Sequence, residues 1–261
     1  MTYHNPVLLQ SACDFLEVTP GKLYIDATVG GGEHASEIVR RGGRVLGMGQ
    51  DPDAILEASK IPGLRLVKSN FIYLKEVVTN HHWRPVSGIL ADLGVSEHQV
   101  QEPNRGFSYQ KSGPLDMRMG ATEVTAADIV NLWPVEQLAS LLATYGEIPV
   151  AKVIAQKIVA ARPLLTTQDL SQIAGKWSQQ TFQALRIAVN DELGALNLML
   201  PQALEVLAPG GRLVIISFHS LEDRIVKNTF HDWKTRGFGE VLTRKPIVGE
   251  RKSKLRAFKK L

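Results

Sequence analysis

The sequence predicts an α/β fold, a parallel sheet of βαβ units interrupted by a small inserted helical domain. Three observations carry that reading. Short apolar runs recur roughly every 20 residues over the first part of the chain, the spacing of strands joined by crossover helices. A glycine-rich stretch stands directly between the first of these runs and a helical pattern. Strand signals then vanish in the middle of the chain and resume near its end. The predicted boundaries are 1–102 with 181–261 for the sheet domain and 103–180 for the insertion.

Taken in order, Leu23-Tyr24-Ile25, Val45-Leu46, Leu64-Arg65-Leu66-Val67 and Gly88-Ile89-Leu90-Ala91 read as buried strands. In the insertion, Thr125 with Asp128 and Thr166 with Asp169 mark capped helix starts. Val150, Val153, Ile154, Ile158 and Ala161 make one apolar helix face, and Pro163 ends that helix because its ring blocks the next turn. A helix over about 181–193 aligns Phe182, Leu185, Val189 and Leu193 on a core face. Beside it run Gln183, Arg186 and Asn190, read either as support for a site or as a solvated stripe. Ala208-Pro209-Gly210-Gly211 is a turn that feeds a last strand, Arg212 to Ile216.

Composition narrows the class. Hydrophobic residues at 44% and charged residues at 21% belong to a soluble globular protein rather than a disordered or membrane one. Cys13 is the only cysteine, which excludes an internal disulfide and favours a reducing compartment. With no basic-then-apolar leader and no long apolar run, a cytoplasmic protein without membrane contact is expected. His219, Glu222 and Asp223 lack a second histidine or cysteine at ligand spacing, so no metal is expected. The net charge of +4 is uneven: eight of the 30 Lys/Arg but only one of the 26 acids fall in the last eighteen residues, 244–261. That segment predicts a polyanion contact through Arg244, Lys245, Arg251, Lys252, Lys254 and Arg256, the alternative being a solvated basic tail.

The glycine stretch offers two cofactors. Gly30-x-Gly32-x-x-Ala35 meets the dinucleotide spacing, with Asp51 downstream for a ribose hydroxyl, so a nicotinamide-dependent dehydrogenase is one reading. Charge favours another. Asp26 ends the first strand and Glu33 opens the helix, and both repel a pyrophosphate. They suit a ligand with a sulfonium and an ammonium and no phosphate, which is S-adenosyl-L-methionine. Asp92 adds a third acid at a strand end.

The runs Asp92-Leu93-Gly94-Val95-Ser96, Arg105-Gly106-Phe107-Ser108, Gly113-Pro114-Leu115-Asp116-Met117-Arg118-Met119, Thr181-Phe182-Gln183-Ala184-Leu185-Arg186-Ile187 and Ile216-Ser217-Phe218-His219-Ser220-Leu221-Glu222-Asp223-Arg224-Ile225-Val226-Lys227 go further. With Asn5-Pro6-Val7-Leu8-Leu9 before them and Ser253-Lys254-Leu255-Arg256 after, they resemble the bacterial 16S ribosomal RNA (cytosine-N4) methyltransferase family, the MraW type. The resemblance implies a Rossmann-like class I methyltransferase sheet with the helical insertion, and S-adenosyl-L-methionine as cofactor. It also implies 16S rRNA of the small ribosomal subunit as partner, methylated on N4 of a cytosine in the decoding centre. It places cofactor contacts at Gly32, Glu33, His34, Asp51, Asp92 and Gln99, with Phe71 against the adenine.

The chain departs from the family pattern at Glu33, where glycine is usual, at Gly49, where Asp is usual, and at Gln50, where Arg is usual. A His-Pro pair usual before Thr181 is missing. These departures keep open a methyltransferase-like protein that binds RNA without catalysis; a homodimer is also left open. The loop Asp92-Leu93-Gly94-Val95 lacks the Pro-Pro-aromatic sequence common in amino-methyltransferases, so amine chemistry rests on the resemblance alone. Phe218, flanked by Ser217 and His219, is the candidate to hold an unstacked base, with a core phenylalanine as the alternative.

Overall fold

In the computed structural model, which describes residues 6–261, the first of two units (Met1–Gly94 with Leu193–Leu261) is built on one eight-stranded sheet. Its strands are β1 (Leu23–Asp26), β2 (Arg44–Gly49), β3 (Leu64–Lys68), β4 (Val86–Asp92), β5 (Leu207–Ser217), β6 (Gly239–Val241), β7 (Ile247–Val248) and β8 (Lys254–Lys260). The order is β3-β2-β1-β4-β5-β8-β6, with β7 on β8. Strands β1 to β5 are parallel, whereas β8 runs antiparallel to β5. The strand order reverses between β1 and β4, and in open parallel sheets ligands bind beyond the carboxyl ends at such a reversal. Asp26 and Asp92 are the last residues of those two strands.

Helices α1 (Leu9–Leu16), α2 (Glu33–Arg40), α3 (Pro52–Ala58) and α4 (Leu74–Asn80) alternate with the first strands. The second unit, Val95–Glu192, contributes α5 (Glu97–Gln101), α6 (Ala126–Leu132), α7 (Val135–Gly146), α8 (Ala151–Ala160), α9 (Thr167–Ala174) and α10 (Ser178–Asn190). Helices α11 (Glu192–Val206) and α12 (Ser220–Thr235) flank β5 in sequence. No helix among the described residues is long and apolar enough to cross a membrane.

Period-two alternation along the strands sorts the sheet's side chains onto two faces. Ile25, Leu46, Ile89 and Leu213 bury against α4, α11 and α12 through Leu74, Met199 and Phe230. Their neighbours Tyr24, Val45, Leu90 and Val214 bury against α1 and α2 through Leu16 and Ile38. Each such side chain contributes roughly 1.5–3 kcal/mol when fully buried, and both faces being covered explains why the strands read as unbroken apolar runs. The turn expected at Ala208–Gly211 is an excursion within β5: register steps from Val86↔Leu207 to Gly88↔Arg212.

The C-terminal segment corrects the alternative of a basic tail. It is woven into the sheet, Lys254 pairing with Ser217 and Lys259 with Arg212. Arg256, expected on a polyanion-binding surface, is only 8% exposed. Its Nε donates to Asp223 Oδ1 at 2.6 Å, and a buried guanidinium without that carboxylate would be strongly destabilising.

The insertion also differs from its sequence boundaries. Phe182, Leu185 and Val189 of α10 bury in the insertion's own core with Leu138, Ile154 and Leu170, so this helix belongs to the second unit. Asp191, at φ 46°, breaks it, and Leu193 falls on α11. The polar stripe is bonded to the protein and is not a solvated face. Gln183 donates to the Tyr145 carbonyl, Arg186 holds Glu192 bidentately at 2.8 and 2.9 Å, and Asn190 bonds the backbone of Met117 and Met119. On α8 the buried face is Ala151, Ile154, Ala155 and Ile158, while Val150 and Val153 are exposed. The capping boxes at Thr125–Asp128 and Thr166–Asp169 are present as expected. Asn5 of the first motif lies outside the described residues.

Phe182→Ala removes a buried ring that meets Tyr109 edge-on at 6.0 Å. It should destabilise the insertion by about 3–5 kcal/mol, the usual cost of truncating a core phenylalanine. Amide exchange in α7 and α10 reads this directly. Unchanged protection in those helices would show that α10 is not part of the insertion's core.

Candidate cofactor-binding site

The end of β1 sets the site. Asp26 is 1% exposed, and its Oδ1 accepts the backbone N–H of Thr28 at 3.2 Å. The same carboxylate accepts the backbone N–H of Ala35 in the first turn of α2. One side chain therefore ties the strand end to the loop and to the helix that follows it. Thr28 Oγ1 in turn accepts the N–H of Asp92 at 2.6 Å, stitching the end of β1 to the end of β4. Sequence reading missed Thr28, since a lone threonine after a strand carries no spacing signal.

Between them the chain turns through Gly30 and Gly32, at φ 48° and 92°. These are left-handed values that glycine adopts without Cβ strain. At Gly32 an added Cβ would stand 2.3 Å from Ile61 Cδ1 and 3.3 Å from Ala58 Cβ, so the loop lies close against α3 and the turn after it. At Gly30 an added Cβ would meet only the Thr28 carbonyl, at 3.8 Å, so it is there that bare backbone lets a ligand approach closely. Glu33 then opens α2. His34, 6% exposed, has Nε2 3.2 Å from the Val7 carbonyl and Nδ1 3.8 Å from Asp92 Oδ2. A carbonyl only accepts, so the proton sits on Nε2 and Nδ1 turns toward the acid.

Electrostatics single this place out. Burial pushes the Asp26 carboxyl up to about 7, with Glu33 adding to the rise and the two backbone N–H groups opposing it. Asp92 is raised well above the carboxylate range, first by burial and then by Asp26, Glu222 and Glu33, with Arg251 opposing. Asp92 Oδ1 is buried without a hydrogen-bond partner. Four carboxyl groups repelling one another in a low-dielectric setting favour any cation brought beside them. Acids so perturbed concentrate at functional sites. The residues thus fit a ligand with a sulfonium and an ammonium, and they oppose a dinucleotide's phosphates.

The remaining expected contacts are distributed. Asp51 caps α3, its Oδ1 accepting the Asp53 N–H at 3.0 Å. The end of β2 itself is Gly49, where an added Cβ would stand 3.2 Å from both Val29 and Ile55. Phe71 follows β3 on a short 3-10 turn and packs, half-buried, on the core of the sheet unit. Gln99 lies in the other unit, where its Oε1 accepts the Ser96 N–H and closes the capping box of α5. Ser217 ends β5 and donates to the Lys254 carbonyl. Phe218 is half-buried against the core beneath α1 and α2, its N–H held by Glu222 Oε2 at 2.8 Å. His219 caps α12, reciprocally bonded to Glu222. Arg244, Lys245, Arg251 and Lys252 are exposed, and Lys254 is half-buried.

A family model described as the MraW methylase family matches residues 1–257. Curated relatives named ribosomal RNA small subunit methyltransferase H include one from Symbiobacterium thermophilum, 48% identical, covering 88% of this chain and 80% of its own. Another, from Heliobacterium mobile, is 44% identical over 95% of this chain and 92% of its own. Among solved structures, a Streptococcus mutans protein assigned as a methyltransferase and crystallised with SAH covers 97% of each chain at 13% identity and TM-score 0.50, a likeness of fold. The sheet is that of the Rossmann-like methyltransferases.

The raised Asp26 fixes a sign for stability. Its folded-state value of about 7 exceeds the ordinary 3.8, so between those limits the folded chain binds more protons than the unfolded chain. Ligand-free stability should therefore fall as pH rises from 4 to 7, by on the order of 4 kcal/mol from this group. Asp26→Asn should remove that share of the slope and make the ligand-free protein more stable at pH 8. Urea unfolding across this pH range is the measurement, and equal slopes in both proteins would refute the assignment.

Proposed function

The chain belongs to the MraW methylase family, and on that footing we propose that it methylates N4 of a cytosine in the decoding centre of 16S rRNA, with S-adenosyl-L-methionine as methyl donor. The observation that carries the cofactor is the acid cluster Asp26, Glu33 and Asp92 around a bare glycine loop at the sheet's reversal point. The relatives' names, small-subunit rRNA methyltransferases, support the substrate. Small ribosomal subunits in the cytoplasm are the partner, reached through the basic residues of the C-terminal segment.

When bound, the cofactor supplies a methyl group on a positively charged sulfur. The protein's own part is to hold that cation, to exclude water and to orient the base. Asp26 and Asp92 present carboxylates where positive charge would sit, and charge held in a buried cleft interacts far more strongly than in water. Gly30 leaves the backbone open to the ligand, Gly32 lets the loop close on α3, Glu33 adds an anion at the head of α2, and His34 stands beside Asp92. Asp51 and Phe71 complete the proposed cofactor contacts on the sheet unit.

A cytosine amino group is a weak nucleophile because its lone pair is delocalised into the ring, so alignment supplies most of the rate. Phe218, with Ser217 and His219 beside it, is the side chain we assign to hold the unstacked base. Glu222 fixes the backbone at Phe218 and His219, so the aromatic ring is carried on a rigid strand-to-helix corner.

Transfer of labelled methyl to undermethylated small subunits, followed by digestion to nucleosides, tests the reading. Label in N4-methylcytidine is expected. RNA binding without incorporation would instead mark a methyltransferase-like binding protein, as Glu33 and Gly49 allow. Phe218→Ala should lower turnover roughly 10- to 100-fold, the worth of one base–aromatic stack, with cofactor affinity near normal. Unchanged turnover would remove Phe218 from the site.

A further inference from the structure

The basic segment that looks uniform in sequence is divided by the fold. Strand β8 is antiparallel, so its first residue, Lys254, pairs with Ser217 at the carboxyl end of β5, and Lys259 pairs with Arg212 near the other end. Asp92 is itself paired with Ile216, and Ile216 with Leu255. The start of β8 therefore stands on the edge that carries the glycine loop and its acids. The end of β8 stands on the opposite edge, where Lys260 donates to the Leu207 carbonyl.

Strand β7 pairs Ile247 with Leu255 and Val248 with Lys254, so residues 249–253 form the tip of a hairpin on the carboxyl edge. The tip is closed by two backbone bonds, Gly249 N–H to the Ser253 carbonyl and Ser253 N–H to the Glu250 carbonyl. It carries Arg251 and Lys252, consecutive non-glycine residues at φ 54° and 61°. Left-handed backbone at two successive side-chain-bearing residues is uncommon and persists where surrounding contacts hold it. Both side chains are exposed, and the field of Arg251 acts on Asp92. Further along β8, Arg256 is withdrawn by its ion pair with Asp223, and Lys254 stands 3.4 Å from the same acid.

We propose that the β7–β8 hairpin tip, through Arg251 and Lys252, is the phosphate-docking element that seats the RNA backbone beside the methyl-transfer site, while the basic end of β8 takes no part. The inference rests on the rRNA reading above and names the contact that reading needs. A phosphate backbone is the fitting partner because it offers successive anions to two consecutive exposed cations, and the relatives' names point to rRNA. Docking at this tip keeps a held phosphate on the same edge as Asp92. A neighbouring base can then reach the acids without the backbone crossing them.

The test compares variants that remove equal charge from the two edges, Arg251→Gln with Lys252→Gln against Lys259→Gln with Lys260→Gln. Affinity for small subunits is measured against salt, and S-adenosyl-L-methionine binding is measured separately. The hairpin variant should bind subunits about 10-fold or more weakly, with a salt slope shallower by roughly 1 to 2, as expected for two lost phosphate contacts. The strand-end variant should stay within about twofold. Arg251→Lys with Lys252→Arg, which keeps both charges, should restore the slope. Equal weakening by the two charge-removing variants, or none from the hairpin, would overturn the docking assignment. Absence of methyl transfer by the unaltered protein would instead overturn the rRNA reading.

Discussion

Everything at the site hangs from one buried carboxylate. Asp26 terminates β1, accepts backbone N–H groups from the loop and from α2, and does so among acids that resist its ionisation. A neutral side chain could tie the same knot without the electrostatic cost. The fold keeps a titratable acid there instead, and sets Asp92 beside it through the Thr28 bridge. Such an arrangement is unfavourable in isolation and relieved by a cation, which is the physical basis for the proposal that a sulfonium and an ammonium bind there. The glycine loop is permissive, and the acids are selective.

The same logic explains why the sheet matters to function. Strand order reverses between β1 and β4, and it is beyond the carboxyl ends at such a reversal that open parallel sheets bind ligands. Hydrophobic burial on both faces fixes the strands, and the strands fix where the acids stand. The antiparallel β8 begins on that same edge, just after the exposed cations Arg251 and Lys252. Cations and acids thereby share one edge, and the charge of Arg251 opposes the rise at Asp92.

Much of this was legible in the residues. Continuous apolar runs located β1 to β5, because a strand covered on both faces has no polar side to break its pattern. The capping boxes at Thr125 and Thr166 were readable because their chemistry is local. What escaped was long-range. β8 is rich in Lys and Arg, so Lys254 to Lys260 read as a tail, and only the pairing with β5 and the Asp223–Arg256 contact make it a strand. Helix α10 was assigned to the wrong side of a boundary, since an apolar face says that a helix is buried but not against what. Asp26 was noticed for its charge, but its two backbone bonds and its displaced ionisation depend on partners that sequence spacing cannot supply.

Asp26 and Asp92 hold their protons more tightly than ordinary carboxyls until a cation arrives. Calorimetric titration of S-adenosyl-L-methionine near pH 7, repeated in buffers of different ionisation enthalpy, reads the protons exchanged on binding. Net proton release that shrinks toward pH 9 and is diminished in Asp26→Asn is the predicted result. Binding with no proton release at neutral pH, in either protein, would contradict the account.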